Sequence, residues 1–245
     1  MLKRIAQTAG FAGLLAAIVL TLLQSLWVTP LILQAETFET FETSEPAAEV
    51  VEHSHDAAAV AHEHEHSAAG GHSHDGEAWA PEDGWQRLLA TGLSNLVVAV
   101  GFALMLAGLF TLRAPGQLWQ GLLWGLAGFA TFSLAPSAGL PPELPGTAAA
   151  DLLLRQYWWI GAAASTAAGL ALLAFGSHGV LRILGVLILA VPHVVGAPHP
   201  EVHESLAPAA LEREFILASL LTNAVFWSAL GVAAAWFYGR PQRHA

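Results

Sequence analysis

Residues 88–112 read "LLATGLSNLVVAVGFALMLAGLFTL", a run without a single charged side chain. A helix needs about 20 such residues to cross the ~30 Å hydrocarbon core of a bilayer. A run of this length and composition is therefore a membrane span. The rest of the chain repeats the signal. Apolar residues make up 55% of its 245 positions and charged ones only 11%, where a soluble domain carries about a quarter.

Working outward, the apolar runs predict an all-α integral membrane protein with six spans: 5–28, 88–112, 118–135, 157–175, 180–191 (extendable to 195) and 215–238. The fifth is short and meets Pro192, so five spans is the alternative. The first follows Lys3 and Arg4 and resembles a signal peptide in that respect, but its length favours a retained helix. The chain then divides into a first transmembrane helix (1–33), an acidic His-rich loop (34–85) and a five-helix membrane core with proline-rich loops (86–245).

Charge orients these spans. With a cytoplasmic N-terminus, the inner segments hold Lys3, Arg4, Arg113, Arg182, Arg240 and Arg243, and the outer ones only Arg87, Arg155 and Arg213. That is the positive-inside pattern, with both termini in the cytoplasm. All 19 acids fall in outer segments, between Glu36 and Glu214. The net charge of −10 is thus concentrated on one face, where it raises the local concentration of cations. The expected location is a bacterial inner membrane, multi-pass, with loop 34–85 extracytoplasmic.

That loop opens with "ETFETFETSE" (36–45), whose glutamates recur every three residues and suit a helix continuing out of the first span. Beyond Pro46 lies "HSHDAAAVAHEHEHSAAGGHSHDG" (53–76), a low-complexity tract expected to be disordered without a ligand. His53, His55, His62, His64, His66, His72 and His74 offer imidazole nitrogen, and Asp56, Glu63, Glu65 and Asp75 offer carboxylate oxygen. Neutral imidazole suits zinc, nickel, cobalt and copper(II), and these rings are mostly deprotonated at neutral pH. Modest affinity and quick release are expected of so flexible a ligand set. A second cluster, His193, His199, Glu201, His203 and Glu204, follows the fifth span. Pro192, Pro198 and Pro200 make most of it a rigid loop. His193 at the membrane rim serves either as a ligand or as a backbone-bonded structural residue.

Within the spans, Asn95 and Asn223 lie at similar depth, near Thr91, Ser94 and Thr222. They either face each other along an ion path or link helices by hydrogen bonds. No acid lies inside a span, which disfavours proton antiport. Asp83 and Asp151 each precede an arginine by four residues, as capping and pairing at a helix start would have it. Glycines 121, 125 and 128, and the series Gly161, Ser165 and Gly169, are small-residue packing faces. Inner connections such as "RAPGQ" (113–117) are short, so the core reads as three hairpins opening outward. Cysteine is absent and Lys3 is the sole lysine, so thiolate metal sites and a phosphate-binding Gly-Lys loop are excluded. No catalytic dyad is evident. The chain is not expected to be an enzyme, to bind nucleic acid or to hold a permanent cofactor.

Three motifs in order, "GLPPELPG" (139–146), "RQYWW" (155–159) and "VPHVVGAPHP" (191–200), together with the His-rich loop, resemble the CbtA family of proposed cobalt transporter subunits. The resemblance covers essentially the whole chain. It implies a link to cobalamin-regulated genes and a small single-span partner, CbtB, with histidines of its own. It also makes the turns around Glu143 and His193 candidate parts of an ion path. The family is described with five spans, against six counted here. The combined expectation is a permease subunit for divalent transition-metal uptake, Co²⁺ first and Ni²⁺ or Zn²⁺ as alternatives. The rival is a membrane metal-binding or sensing protein without transport. Self-association into a homo-oligomer is a further expectation.

Overall fold

The computed structural model describes residues 1–44, 81–82, 84–202 and 204–240. The seven loop histidines, their neighbouring acids and His203 therefore lie outside the described residues. The elements are α1 (Leu2–Leu23), α2 (Thr29–Ser44), α3 (Trp85–Leu112), α4 (Leu118–Phe129), α5 (Ala135–Ser137), α6 (Leu152–Phe175), α7 (Gly179–Val195) and α8 (Ala209–Gly239). No strand occurs among the described residues.

Two of these helices are continued through π-helical turns, Gln24–Val28 between α1 and α2 and Ala130–Leu134 between α4 and α5. In each, a backbone N–H reaches back five residues, Thr29 to Gln24 O and Ala135 to Ala130 O. The sequence supplies the cause. Each π turn ends two residues before a proline, Pro30 or Pro136. A proline ring has no N–H to give and collides with the carbonyl four residues back. Widening the preceding turn relieves that collision without breaking the rod. The first helix so extended runs well past the expected end at 28, through the glutamate repeat to Ser44.

Five helices are long and apolar enough to cross a membrane: Leu2–Glu39, Trp85–Leu112, Leu118–Ser137, Leu152–Phe175 and Ala209–Gly239. The sixth, α7, has 17 residues, or about 26 Å at 1.5 Å per residue. It is just short of the hydrocarbon thickness, which is why the count falls between five and six. It nonetheless runs antiparallel along α6, with Gly185 against Gly169 and its last turn beside Trp158. Pro192 sits inside that last turn, and Gly196, at φ 82°, ends the helix.

The two ends of the bundle differ in chemistry. At one, Arg4 donates through Nε to the Tyr238 carbonyl at 2.7 Å and lies over the Tyr238 ring, while Arg113 lies 4.8 Å over Phe175. At the other, Arg87 pairs with Glu36 at 2.5 Å and the loops before α6 and α8 meet. We call these the basic end and the acidic end. The starts of α1 and α7 and the ends of α3, α6 and α8 share the basic end.

Helices pack through small residues. Ala9, Ala12 and Ala16 of α1 are buried in one cluster with Ala99 and Ala103 of α3 and Leu230 and Ala234 of α8. Gly121 and Gly125 of α4 meet Gly231 of α8 so closely that a Cβ on Gly121 would lie 2.6 Å from the Gly231 carbonyl oxygen. Gly128 leaves room for the Trp227 ring, stacked on Phe132 at 5.6 Å. On α6 the buried face is Ala162, Thr166 and Gly169, while Gly161 is exposed. Of the expected series Gly161, Ser165 and Gly169, Gly169 packs and Gly161 does not, because strict four-residue spacing drifts about 40° per step around a helix. The three-hairpin expectation is also corrected. Despite the short connection 113–117, α3 lies along α1 and α4 along α8, and only α6 and α7 form a packed hairpin. Glycine matching, not loop length, chooses the partners. Outward faces are apolar, as Leu93 at 65% and Val97 at 66% exposure show on α3, and such a surface suits lipid or another apolar helix.

Gly125→Leu should weaken the α4–α8 contact by ~1–3 kcal/mol, the usual cost of overpacking. Gly161→Leu, at a position with nothing within 4 Å of its would-be Cβ, should be neutral. Thermal unfolding in detergent checks the pair, and equal shifts would contradict the assignment.

Candidate functional site

The acidic end is built by two proline-rich loops that hold each other. Gly146 adopts φ 74°, a left-handed conformation that suits glycine, and its carbonyl accepts from Leu206 N at 3.3 Å. Ala148 N donates to Glu204 O at 2.9 Å, closing a one-residue antiparallel bridge between Thr147 and Ser205. Leu144 and Ala207 anchor the pair by burying beside Val28, Leu31 and Ala35 of the first long helix and Leu211 and Phe215 of α8. With prolines limiting the backbone on both sides, the neighbours of Leu144 have little freedom.

One such neighbour is Glu143. Its Oε2 accepts from Arg155 Nη2 at 2.6 Å, and both side chains are only about a quarter exposed (28% and 27%). Arg155 is placed one turn into α6, whose start is capped by Asp151 Oδ1 accepting from Leu154 N at 3.0 Å. Asp151 thus caps as expected, but Arg155 pairs with Glu143 instead of with Asp151. Arg87, at the start of α3, pairs with Glu36 of the first long helix, and Asp83 lies outside the described residues.

Glu143 and Arg155 line a cavity of about 320 Å³ that also takes in His199 and Glu204 from the second loop and Glu212 from the first turn of α8. Of the residues singled out from sequence, Glu143, His199 and Glu204 come together here. Glu212 and Arg155 were missed as site residues. The only sequence signal for Glu212 was an acid in the first turn of a span. Glu201 is exposed and does not line the cavity. His193 is exposed on the last turn of α7, its ring edge-on to Trp158 at 6.4 Å, while Trp158 Nε1 donates to the neighbouring Pro192 carbonyl at 3.3 Å. It too stands outside the cavity. Among the described residues, no three His, Asp or Glu side chains are arranged as a ready metal shell.

The amide nitrogens of the two asparagines bond to different partners. Asn95 Nδ2 donates to Gln24 Oε1 at 2.6 Å and to Thr21 Oγ1 at 3.0 Å, joining α3 to the start of the first π turn. Asn223 Nδ2 donates to Ser219 O of its own helix at 2.9 Å. The reason is the packing partner: α3 runs along α1, so Asn95 meets the polar residues of α1. Thr222 on α8 and Thr8 on α1 have buried hydroxyls with no hydrogen-bond partner among the described residues.

Chemically, the acidic-end cavity offers carboxylate oxygen and imidazole nitrogen around an ion pair, a donor mixture suited to divalent cations of borderline softness. No curated protein and no solved structure matches this chain. A family model described as "Probable cobalt transporter subunit (CbtA)" matches residues 2–239. A multi-pass helical bundle matched over that span belongs to the CbtA family of probable cobalt transporter subunits.

Proposed function

We propose that this subunit is a permease component for uptake of a divalent transition metal, Co²⁺ before Ni²⁺ or Zn²⁺, received at the acidic end. The observation that carries the proposal is the meeting of Glu143, His199, Glu204 and Glu212 around Arg155 in one cavity between two stapled loops. Three carboxylates and one guanidinium line the cavity, so it has a formal deficit of positive charge.

In this reading the acidic end is extracytoplasmic and the His-rich tract, His53 to His74 with Asp56 and Asp75, captures the ion first. Alternating imidazoles in a low-complexity tract give many overlapping ligand sets and fast release. The ion passes to the mouth, where His199 and Glu204 line the cavity from one loop and Glu143 from the other. Arg155 acts as a tethered cation that holds Glu143 until metal arrives. A partly exposed pair of this kind is worth ~0–1 kcal/mol, so a divalent ion can displace it at little cost. A cytoplasm-negative potential then favours influx by ~2.3 kcal/mol per charge per 100 mV, and about twice that for a divalent ion. Both termini lie in the cytoplasm of a bacterial inner membrane. A small single-span subunit of the CbtB type is the proposed partner, self-association is open to the same bundle, and catalysis has no role.

One observation favours the rival reading of a metal-binding sensor. The amide nitrogens of Asn95 and Asn223 both donate within the bundle, and the apolar runs 5–28, 88–112, 118–135, 157–175, 180–191 and 215–238 contain no carboxylate. The sensor reading predicts metal-dependent association with a partner and no tracer accumulation.

Deleting residues 53–76 should lower radiocobalt accumulation by cells at limiting Co²⁺ and leave it near normal at high Co²⁺. Unchanged uptake at both concentrations would remove the tract from the mechanism.

Arg155→Gln should lower the half-saturating Co²⁺ concentration, by roughly fivefold at most if the pair is worth ~1 kcal/mol. Glu143→Gln should raise it. If the two variants lose affinity together, the pair is structural and Arg155 is no stand-in for the ion.

A further inference from the structure

Another cavity, among the described residues, lies towards the other end. A groove of about 550 Å³ separates α6 from α3 and α4. Its origin is in the packing. Because α4 is committed to α8 and α3 to α1, α6 lies along α7 and touches the rest of the bundle chiefly at α5 and the π turn 130–134. Towards the basic end the helices are left apart, and small residues, Ala127 on one wall and Ala171 and Ala174 on the other, do not fill the gap. Aromatic rings close it at each extremity, Phe132 with Trp159 at 6.3 Å and Trp124 with Phe175 at 6.0 Å.

The groove is mostly apolar, with Gln120 and Thr131 among its lining, and has one charge, Arg113, at its basic-end rim. The guanidinium lies over Phe175, is exposed, and has no carboxylate partner among the described residues. The segments that make up this end contain no acid at all. The connection that carries Arg113 is itself fixed, with Gly116 N donating to Gln120 Oε1 at 2.6 Å.

We propose that this groove binds an anionic phospholipid, one acyl chain between α3, α4 and α6 and the phosphate at Arg113. Charge complementarity selects the headgroup, as basic pockets between membrane helices do at the cytoplasmic leaflet. Size selects a chain over a helix. A helix about 10 Å across and rising 1.5 Å per residue would fill the volume in about five residues, too short a segment to dock between aromatic lids. This site is independent of the metal reading.

The test uses the full chain, purified in mild detergent and stripped of lipid. Native mass spectrometry should count one tightly held phosphatidylglycerol, with phosphatidylcholine retained less well, and phosphatidylglycerol should raise the unfolding temperature more. Arg113→Gln should cut the preference for phosphatidylglycerol roughly fivefold, the worth of one basic residue at an anionic surface. Arg113→Lys should keep it. Ala171→Phe should fill the groove and reduce binding of both lipids. Equal retention of the two lipids, unmoved by Arg113→Gln, would overturn the proposal. So would a chain dimer that Ala171→Phe dissociates, since a second copy would then own the groove.

Discussion

Backbone-to-backbone contact between helices is what the rest of this structure depends on. Inside a bilayer there is no hydrophobic gain in bringing two apolar helices together, because lipid is as apolar as leucine. Association rests on close packing and on the few polar bonds available. Gly121 and Gly125 against Gly231, Gly169 against Gly185, and the alanine face of α1 against α3 supply that closeness. Once these matches are made, the pairing of helices is fixed, and so is the gap left between α6 and the α3–α4 wall.

The same pairing positions the chemistry. With α8 held by α4 and α1, the first turn of α8 brings Glu212 under the loop that carries Glu204 and His199. The start of α6 brings Arg155 to Glu143. Neither loop could hold a carboxylate in place alone. Leu144 and Ala207 buried beside the first long helix, and the bridge from Thr147 to Ser205, turn two proline-rich connections into one wall. The acidic end thus carries one wall built from two loops, and the metal proposal rests on that wall together with the family.

Much of the fold was legible in the apolar runs, because a span needs only length and the absence of charge. The short α7 was legible too: 17 residues and a proline leave it at the margin in sequence and structure alike. Three features were not. The π turns came from Pro30 and Pro136, prolines that a hydropathy pattern absorbs without notice. The partners of Asn95 depended on which helix α3 packs against, and that is decided by small residues matched across the bundle. For the site, the sequence placed Glu143, His199 and Glu204 in separate loops with no distance between them. Their meeting follows from the bridge between those loops, a long-range contact that no local pattern announces. Glu212 was hidden for the same reason, as one acid among 19.

The most direct measurement is Co²⁺ accumulation in proteoliposomes holding the purified chain, with and without a partner subunit, under an imposed inside-negative potential. The account predicts net influx that grows with the potential and is lost when Glu143 and Glu204 are both changed to glutamine. Co²⁺ that binds the chain yet never enters the lumen, at any potential and with either composition, would contradict it.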